Sequence, residues 1–356
     1  MNPNPIARNQ PITKKSERGE KLAHLNSLSI SARLTLDLHN LNSEGTEGNQ
    51  QQTRMVHIID QSGHRAIVNA VSGDMFKHIL VEHLVPLLKD SGQPLSPGAA
   101  VHDADRINAL NPAFVDFCEK DQEFIDDGKK IKRRALESEI MTKILTDCSL
   151  TDLAGALVTR GRSVGRKSVA EFGWVVGLPE DNGGQPLTAT EQYFHVKYAP
   201  EGRGTATGSD SVAGRQAIFH RPASSGIYAF ICNLDLYRIG LNDITRKYVV
   251  DPQARNQRAS ALIQALAATL LKPAGAQRNT QNPHIVNCEG VVATSATSLP
   301  APTVSPLHDN YRDQMEKAAD VLNGIKSGGV RVARFATLAD GVSVLADLAK
   351  GIELPN

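Results

Sequence analysis

The chain has 356 residues, enough for one large domain or two modest ones with a sizeable core. Lys plus Arg total 39 against 38 Asp plus Glu, and 40% of residues are hydrophobic. These figures exclude a whole-molecule polycation and wholesale disorder, while 9 Phe, 6 Tyr and 1 Trp weigh against a reader that stacks many bases on exposed rings.

Residues 1–24 form a Pro/Asn/Gln-rich polar lead, expected to be mobile, with Lys14, Lys15 and Arg18 but no apolar core of a secretory signal. From Ser29 to His39, Ile30, Ala32, Leu34, Leu36 and Leu38 alternate with polar residues. This period of two predicts a strand with one core face and one polar face toward solvent or ligand. Residues 43–53 (SEGTEGNQQQT) read as a Gly-rich polar loop. Met55–Asp60 and Arg65–Val71 read as a hairpin turning at Gln61-Ser62-Gly63, followed by a helix over Met75–Leu88 capped by Ser72 or Asp74.

In the middle third, the acidic run 121–127 and the basic run 129–134 (KKIKRR) are expected on an exposed helix or its flank. Strand candidates follow at Ala154–Thr159, Val169–Val176, Glu191–Tyr198, Gln216–Arg221 and Gly226–Ile239. The last of these is apolar on both faces and therefore central. Between Tyr198 and Gln216 the Gly/Ser/Thr-rich stretch predicts a projecting loop. Arg255–Leu271, stopped by Pro273, and then Tyr311–Ile325 and Gly341–Leu348 read as helices. Without regular strand–helix alternation, the fold class is α+β with antiparallel strands.

No apolar run approaches the roughly 18 residues that span a bilayer, so no membrane association is expected. Cys118, Cys148, Cys232 and Cys288 are unpaired in spacing, which predicts buried free thiols in a reducing, cytoplasmic setting. Gly161–Gly165 matches G-x-S-x-G, but a strand-like rather than helical stretch follows, so it is not a nucleophile elbow. The same stretch fails the phosphate-loop pattern in spacing and lysine position. What survives is charge, with Arg160, Arg162, Arg166 and Lys167 in eight residues suited either to a solvated loop or to a polyanion backbone. His39, His57, His64, His78 and His83 lack metal-ligand spacing, and His102-Asp103-Ala104-Asp105 reads as a polar turn; neither a metal nor another cofactor is expected. In NAVSGDMFKH (69–78) a strand ends at Ser-Gly and a helix starts with Lys77 and His78. Free helix-start amides beside a cation make a phosphate cradle, although Asp74 competes for the same amides.

Five phrases in order, SISARLTLDLHNLNSEGTEGN, IVNAVSGDMFKHI, SVAEFGWVVGLPE, EQYFHVKYAP and QAIFHRPASSGIYAF, resemble the DevR-type CRISPR-associated autoregulator family over about residues 28–310. The family is the backbone subunit of type I Cascade complexes. The resemblance implies an RRM-like (ferredoxin-type) antiparallel palm over 25–310, with a helical insertion over about 90–150 and a protruding β-hairpin thumb over about 185–221. A C-terminal helical segment over 311–356 would follow. Copies of the chain would polymerise along one CRISPR RNA, gripping its backbone while the guide pairs with a target DNA strand. The implied partners are other copies of itself, the large, small and repeat-end-binding Cascade subunits and, in transposon-adopted systems, a transposition adaptor. No catalysis is implied, because cleavage belongs to a separately recruited nuclease.

The RNA-binding set implied by this resemblance comprises Arg33 and His39 on the first strand, Asn49 and Arg54 after it, and Ser72, Gly73, Lys77 and His78 at the helix start. Arg166 and Lys167 join it, with Lys197, Arg203, Arg215, His220 and Arg221 on the thumb. Two alternatives stand beside this reading. One is a metal-dependent RNA nuclease of type III kind, using Asp37, Asp60, Asp74 or Asp210; the other is a free-standing RNA-binding regulator.

Overall fold

The computed structural model describes residues 24–355 except 182, 199–215 and 276–277. The polar lead up to residue 23 and the tip of the expected thumb, with Arg203, Asp210 and Arg215, lie outside the described residues. The first strand, β1 (Ser27–His39), buries Ile30, Ala32, Leu34 and Leu36 as its alternation predicts. The stretch expected to be a loop pairs instead as β2 (Ser43–Glu47) with β3 (Gln50–Thr53), turning at Gly48-Asn49. The expected hairpin is β4 (Met55–Ile59) with β5 (Arg65–Val71), and it leads into α1 (Gly73–Asp90).

The insertion carries α2 (Pro97–Ala100), α3 (Pro112–Glu119), a two-stranded ribbon β6 (Gln122–Asp126) and β7 (Lys129–Arg133), then α4 (Glu137–Asp147) and α5 (Ser149–Ala154). The ribbon corrects the helix expected for KKIKRR. Asp127 and Gly128 both have positive φ, +46° and +73°, the geometry of a type I′ hairpin turn. Glu123 thereby comes opposite Lys132, and Lys130 reaches the Glu123 carboxylate at 3.2 Å.

Next come β8 (Ala156–Val158) and β9 (Val164–Arg166), then β10 (Ala170–Phe172) and β11 (Val175–Gly177). The single strand expected over 169–176 is therefore broken at Gly173-Trp174. β12 (Thr188–Tyr198) is followed by β13 (Gln216–Leu234), a 19-residue strand that runs through the expected break at Pro222. Pro222 sits between the last pair with β1, at Ser224, and the single bridge to β3, at His220, so its missing N–H leaves no ladder bond unmade. The remaining elements are α6 (Pro252–Leu271), β14 (His284–Ser295), α7 (Tyr311–Ile325), β15 (Val330–Phe335) and α8 (Leu338–Lys350). β15 joins the main sheet, so the C-terminal segment is not purely helical.

The sheet runs β15-β14-β1-β13-β11-β5-β4, and the named neighbours along this path are antiparallel. α1 packs on α6 and α6 on α8, sealing the main core over Ile30, Leu34, Phe230 and Val292. On the opposite face α7 seals a smaller core of Val291, Ala293, Tyr311 and Met315. The polar face of β1 is likewise covered rather than open. Ser29 Oγ donates to Pro302 O at 2.5 Å, Ala301 N donates to Ser27 Oγ at 2.9 Å, and Arg33 Nε donates to Pro306 O at 3.0 Å. The four cysteines are free and buried. Among the described residues no helix is long and apolar enough to cross a membrane.

Candidate nucleic-acid interface

The strand-to-helix junction at β5–α1 is built as an N-cap. Ser72 is extended, its Oγ accepts from Met75 N at 3.2 Å, and its own N–H donates to Asn42 Oδ1 at 3.0 Å. Ser72 is thus the cap, and Asp74 is an exposed residue of the first turn. Gly73 is required by the chain's own packing, since a Cβ there would lie 2.6 Å from Phe172 O. Ser72, Gly73, Asp74 and Lys77 form one wall of a shallow groove of about 410 Å³, and Lys167, Ser168, Glu171 and Trp174 form the other.

Trp174 is a functional candidate that strand periodicity hides. It lies in the break between β10 and β11, where Gly173 N donates to Ile231 O at 3.1 Å, and it is 46% exposed. The Arg54 guanidinium lies over its ring, 5.1 Å from the centroid, and also pairs with Glu44. The sequence signal was available, because an isolated glycine inside a strand pattern marks a bulge or a close approach.

The groove is cationic with acidic counterweights. Burial pushes the Lys77 ammonium below its ordinary pKa and the Arg106 guanidinium beside it pushes the same way, while Asp74 partly offsets both. Arg106, also lowered by burial, donates to Gly155 O at 2.8 Å. Lys77, partly buried in the groove wall, is stabilised by an incoming anion, and a phosphate meets that need. Lys167 pairs with Glu171, which raises its pKa through a hydrogen bond and through charge.

The second candidate surface is the arm formed by β12 and the first half of β13. Its two strands pair from Thr188 opposite Gly226, where φ is +155° and a Cβ would lie 2.4 Å from Leu187 O. Cross-strand rings line the arm. Phe194 meets His220 with centroids 4.4 Å apart, and His195 stacks on Phe219 at 5.5 Å. Arg221 lies over Phe219 at 5.0 Å and donates to Thr280 Oγ1 at 3.1 Å. Phe194 is 73% exposed. Although aromatics are scarce in the chain, the arm gathers several. At its base His220 N donates to Asn49 O at 2.9 Å, and Gln192 Nε2 to Gln51 O at 3.0 Å, so the β2–β3 hairpin braces it. Lys197 lies on β12 by its backbone.

A family model described as CRISPR-associated negative auto-regulator DevR/Csa2 matches residues 30–316. The chain belongs to this family. A curated relative from Saccharolobus solfataricus, the CRISPR-associated aCascade subunit Cas7/Csa2 2, is 24% identical over 345 residues, which is 92% of this chain and 99% of the relative. A solved chain described as CRISPR RNA-guided surveillance complex, pre-nicking, is 12% identical with a TM-score of 0.48, over 91% of this chain and 99% of its own. Another, described as CRISPR RNA-guided surveillance complex, is 12% identical with a TM-score of 0.43, over 91% and 98%.

In this DevR/Csa2 chain the expected interface residues divide. Ser72, Gly73, Lys77 and Lys167 share the groove, Arg54 adjoins it through Trp174, and Asn49, His220 and Arg221 belong to the arm and its base. Four others lie elsewhere. Arg166 is a correction, because its side chain has no exposed surface. It donates to Asp152 Oδ1 and Asp243 Oδ2, both at 2.7 Å, and to the carbonyls of Leu241 and Arg238. Its charge serves the buried core, where Arg258 also reaches Asp152 at 2.8 Å. His39 is a second correction. It is buried against Tyr228, and burial lowers its pKa to about 4, so it is neutral and not a cation for phosphate. His78, about 100° round the helix from Lys77, faces Glu82 at 4.0 Å and packs on Gly275. Arg33 pairs with Asp309 at 3.0 Å and lines a different depression with Gln61 and Pro179.

Of the acids named for a nuclease, Asp210 lies outside the described residues. Asp60 accepts from Ser62 N and His64 N within its own turn, and Asp74 starts α1. Among the described residues no three His, Cys, Asp or Glu side chains are grouped to hold a metal ion.

Proposed function

We propose that this chain is a non-catalytic, guide-RNA-binding backbone subunit of a type I CRISPR surveillance complex. Several copies line up along one CRISPR RNA, beside large, small and repeat-end-binding subunits, and present the guide to a target DNA strand. The observation that carries this reading is the groove at the start of α1, where Ser72, Lys77 and Lys167 converge from two separate chain segments. Such a site meets phosphates through amides and cations without reading bases, which suits a subunit whose specificity resides in the guide. The arm supplies a second contact, toward a neighbouring copy's stretch of RNA.

The finer fold reading belongs to the same proposal. The order β14-β1-β13-β11, with α1 and α6 packed together, supports reading these elements as a split βαβ, RRM-like palm. The test is purification of the tagged chain with its operon partners, followed by sequencing of the bound RNA. Guide RNAs of uniform length with a repeat-derived end are expected. Purification free of RNA would instead point to a free-standing regulator, and regular metal-dependent cuts in a complementary RNA would overturn the non-catalytic reading.

A further inference from the structure

We propose that Trp174 is a base-stacking platform, on which one nucleobase of a bound single-stranded RNA lies while the flanking phosphate meets Ser72, Lys77 and Lys167. This inference rests on the interface reading above and adds a subsite to it. Trp174 is the only tryptophan in the chain, and it leaves 46% of its surface exposed, where large aromatic side chains are normally well buried. That exposure falls within the groove that carries the cations rather than at a random surface position.

The backbone that carries the ring is held on both sides. Trp174 is flanked by Gly173, whose N–H is bound to Ile231 O, and by Val175, which is paired with Val71. Gly173 itself is fitted against Ile231, because a Cβ would lie 2.5 Å from the Ile231 side chain. A platform flanked on both sides by held backbone presents its face at a reduced ordering cost on binding. The Arg54 guanidinium over the indole is the neighbour expected of a ring that offers its remaining surface to a second planar partner.

The chemistry selects a nucleotide. A purely aromatic partner would leave Lys77 without an anionic ligand, and a bare anion would leave the indole in water. A base joined to a phosphate satisfies both. Every base has a π-face, so the contact adds affinity without sequence preference, as a guide-holding subunit requires.

The single tryptophan makes the test direct, because selectively excited indole emission of the full-length chain reports on Trp174 alone. Two probes are titrated, a short oligouridylate and an abasic ribose-phosphate oligomer of the same length. The oligouridylate is expected to quench the emission and bind more tightly than the abasic oligomer, which leaves the emission nearly unchanged. Trp174→Ala is expected to weaken oligouridylate binding roughly 5- to 150-fold and to erase the difference between the probes, whereas Trp174→Phe keeps most of it. Oligouridylate bound with unchanged emission, or Trp174→Ala weakening both probes alike, overturns the platform while leaving the interface reading intact. Absence of binding by either probe overturns both.

Discussion

A β-carbon on Gly73 would lie 2.6 Å from the carbonyl oxygen of Phe172, so the start of α1 and strand β10 meet backbone to backbone. The sequence suggests that this glycine admits a phosphate; the structure shows that it admits β10. The close approach brings the Lys77 wall within one groove's width of the Lys167 and Trp174 wall. Gly73→Ala is therefore expected to lower stability by about 1–3 kcal/mol through overpacking and to weaken RNA binding by spreading the groove. Ser72→Ala removes the cap, costing about 1 kcal/mol, together with one hydroxyl of the groove wall. Thermal denaturation and RNA titration of the two variants give the comparison, and a fully stable, fully binding Gly73→Ala would show that β10 yields freely.

Lys77→Ala should flatten the salt dependence of RNA binding. Each lost phosphate contact on a single strand reduces the log–log slope by about 0.7. Arg33→Ala should leave that slope unchanged, because Arg33 is engaged with Asp309 and Pro306, while Gln61 and Arg33 together hold the Asp309 carboxyl below its ordinary range. A slope that follows Arg33 and ignores Lys77 would move the interface to the depression beside Gln61.

Neighbouring residues Arg166 and Lys167 should behave as opposites. Asp152 is fully buried between Arg166 and Arg258, and both of its oxygens also accept from Gly240 N. Asp152→Asn leaves two buried guanidinium groups short of countercharge, with an expected loss of about 3–5 kcal/mol. Lys167→Ala, at an exposed pair with Glu171, should leave the denaturation midpoint nearly unchanged while reducing RNA affinity. Equal effects on stability in the two variants would contradict this division.

His39 makes stability depend on pH. Its folded pKa is lowered by burial from 6.5 to about 4, so between those values the unfolded chain binds a proton that the folded chain refuses. Stability is therefore greatest above about pH 6.5, falls as the pH drops toward 4, and levels off below it. The loss attributable to this group is roughly 3 kcal/mol. Denaturation midpoints measured along this range should decline less steeply in His39→Gln, and an unchanged slope in that variant would assign the acid sensitivity to other groups.

The sequence by itself determined those features whose physics is local. Alternation along β1, the Ala/Leu-rich pattern of α6 and a helix cap at Ser72 or Asp74 are each written within a few consecutive positions. Charge runs were legible but their shape was not. The acidic and basic stretches around Asp127-Gly128 form a ribbon because two consecutive residues adopt positive φ and set Glu123 opposite Lys132, a pairing across a turn that helical periodicity cannot express.

Only the tertiary structure decided which charges face outward. Arg166 and Lys167 are adjacent in a basic stretch, yet one is sealed against Asp152 and the other lines the groove, because the acids that claim Arg166 come from α5 and from the segment after β13. Trp174 falls inside the strand expected over Val169–Val176, and it turns outward where Ile231, far along the chain, holds Gly173. The near balance of 39 basic against 38 acidic residues gains its meaning the same way. Opposite charges distant in sequence are consumed in pairs, and the cations left at the start of α1 stand out by position rather than by number.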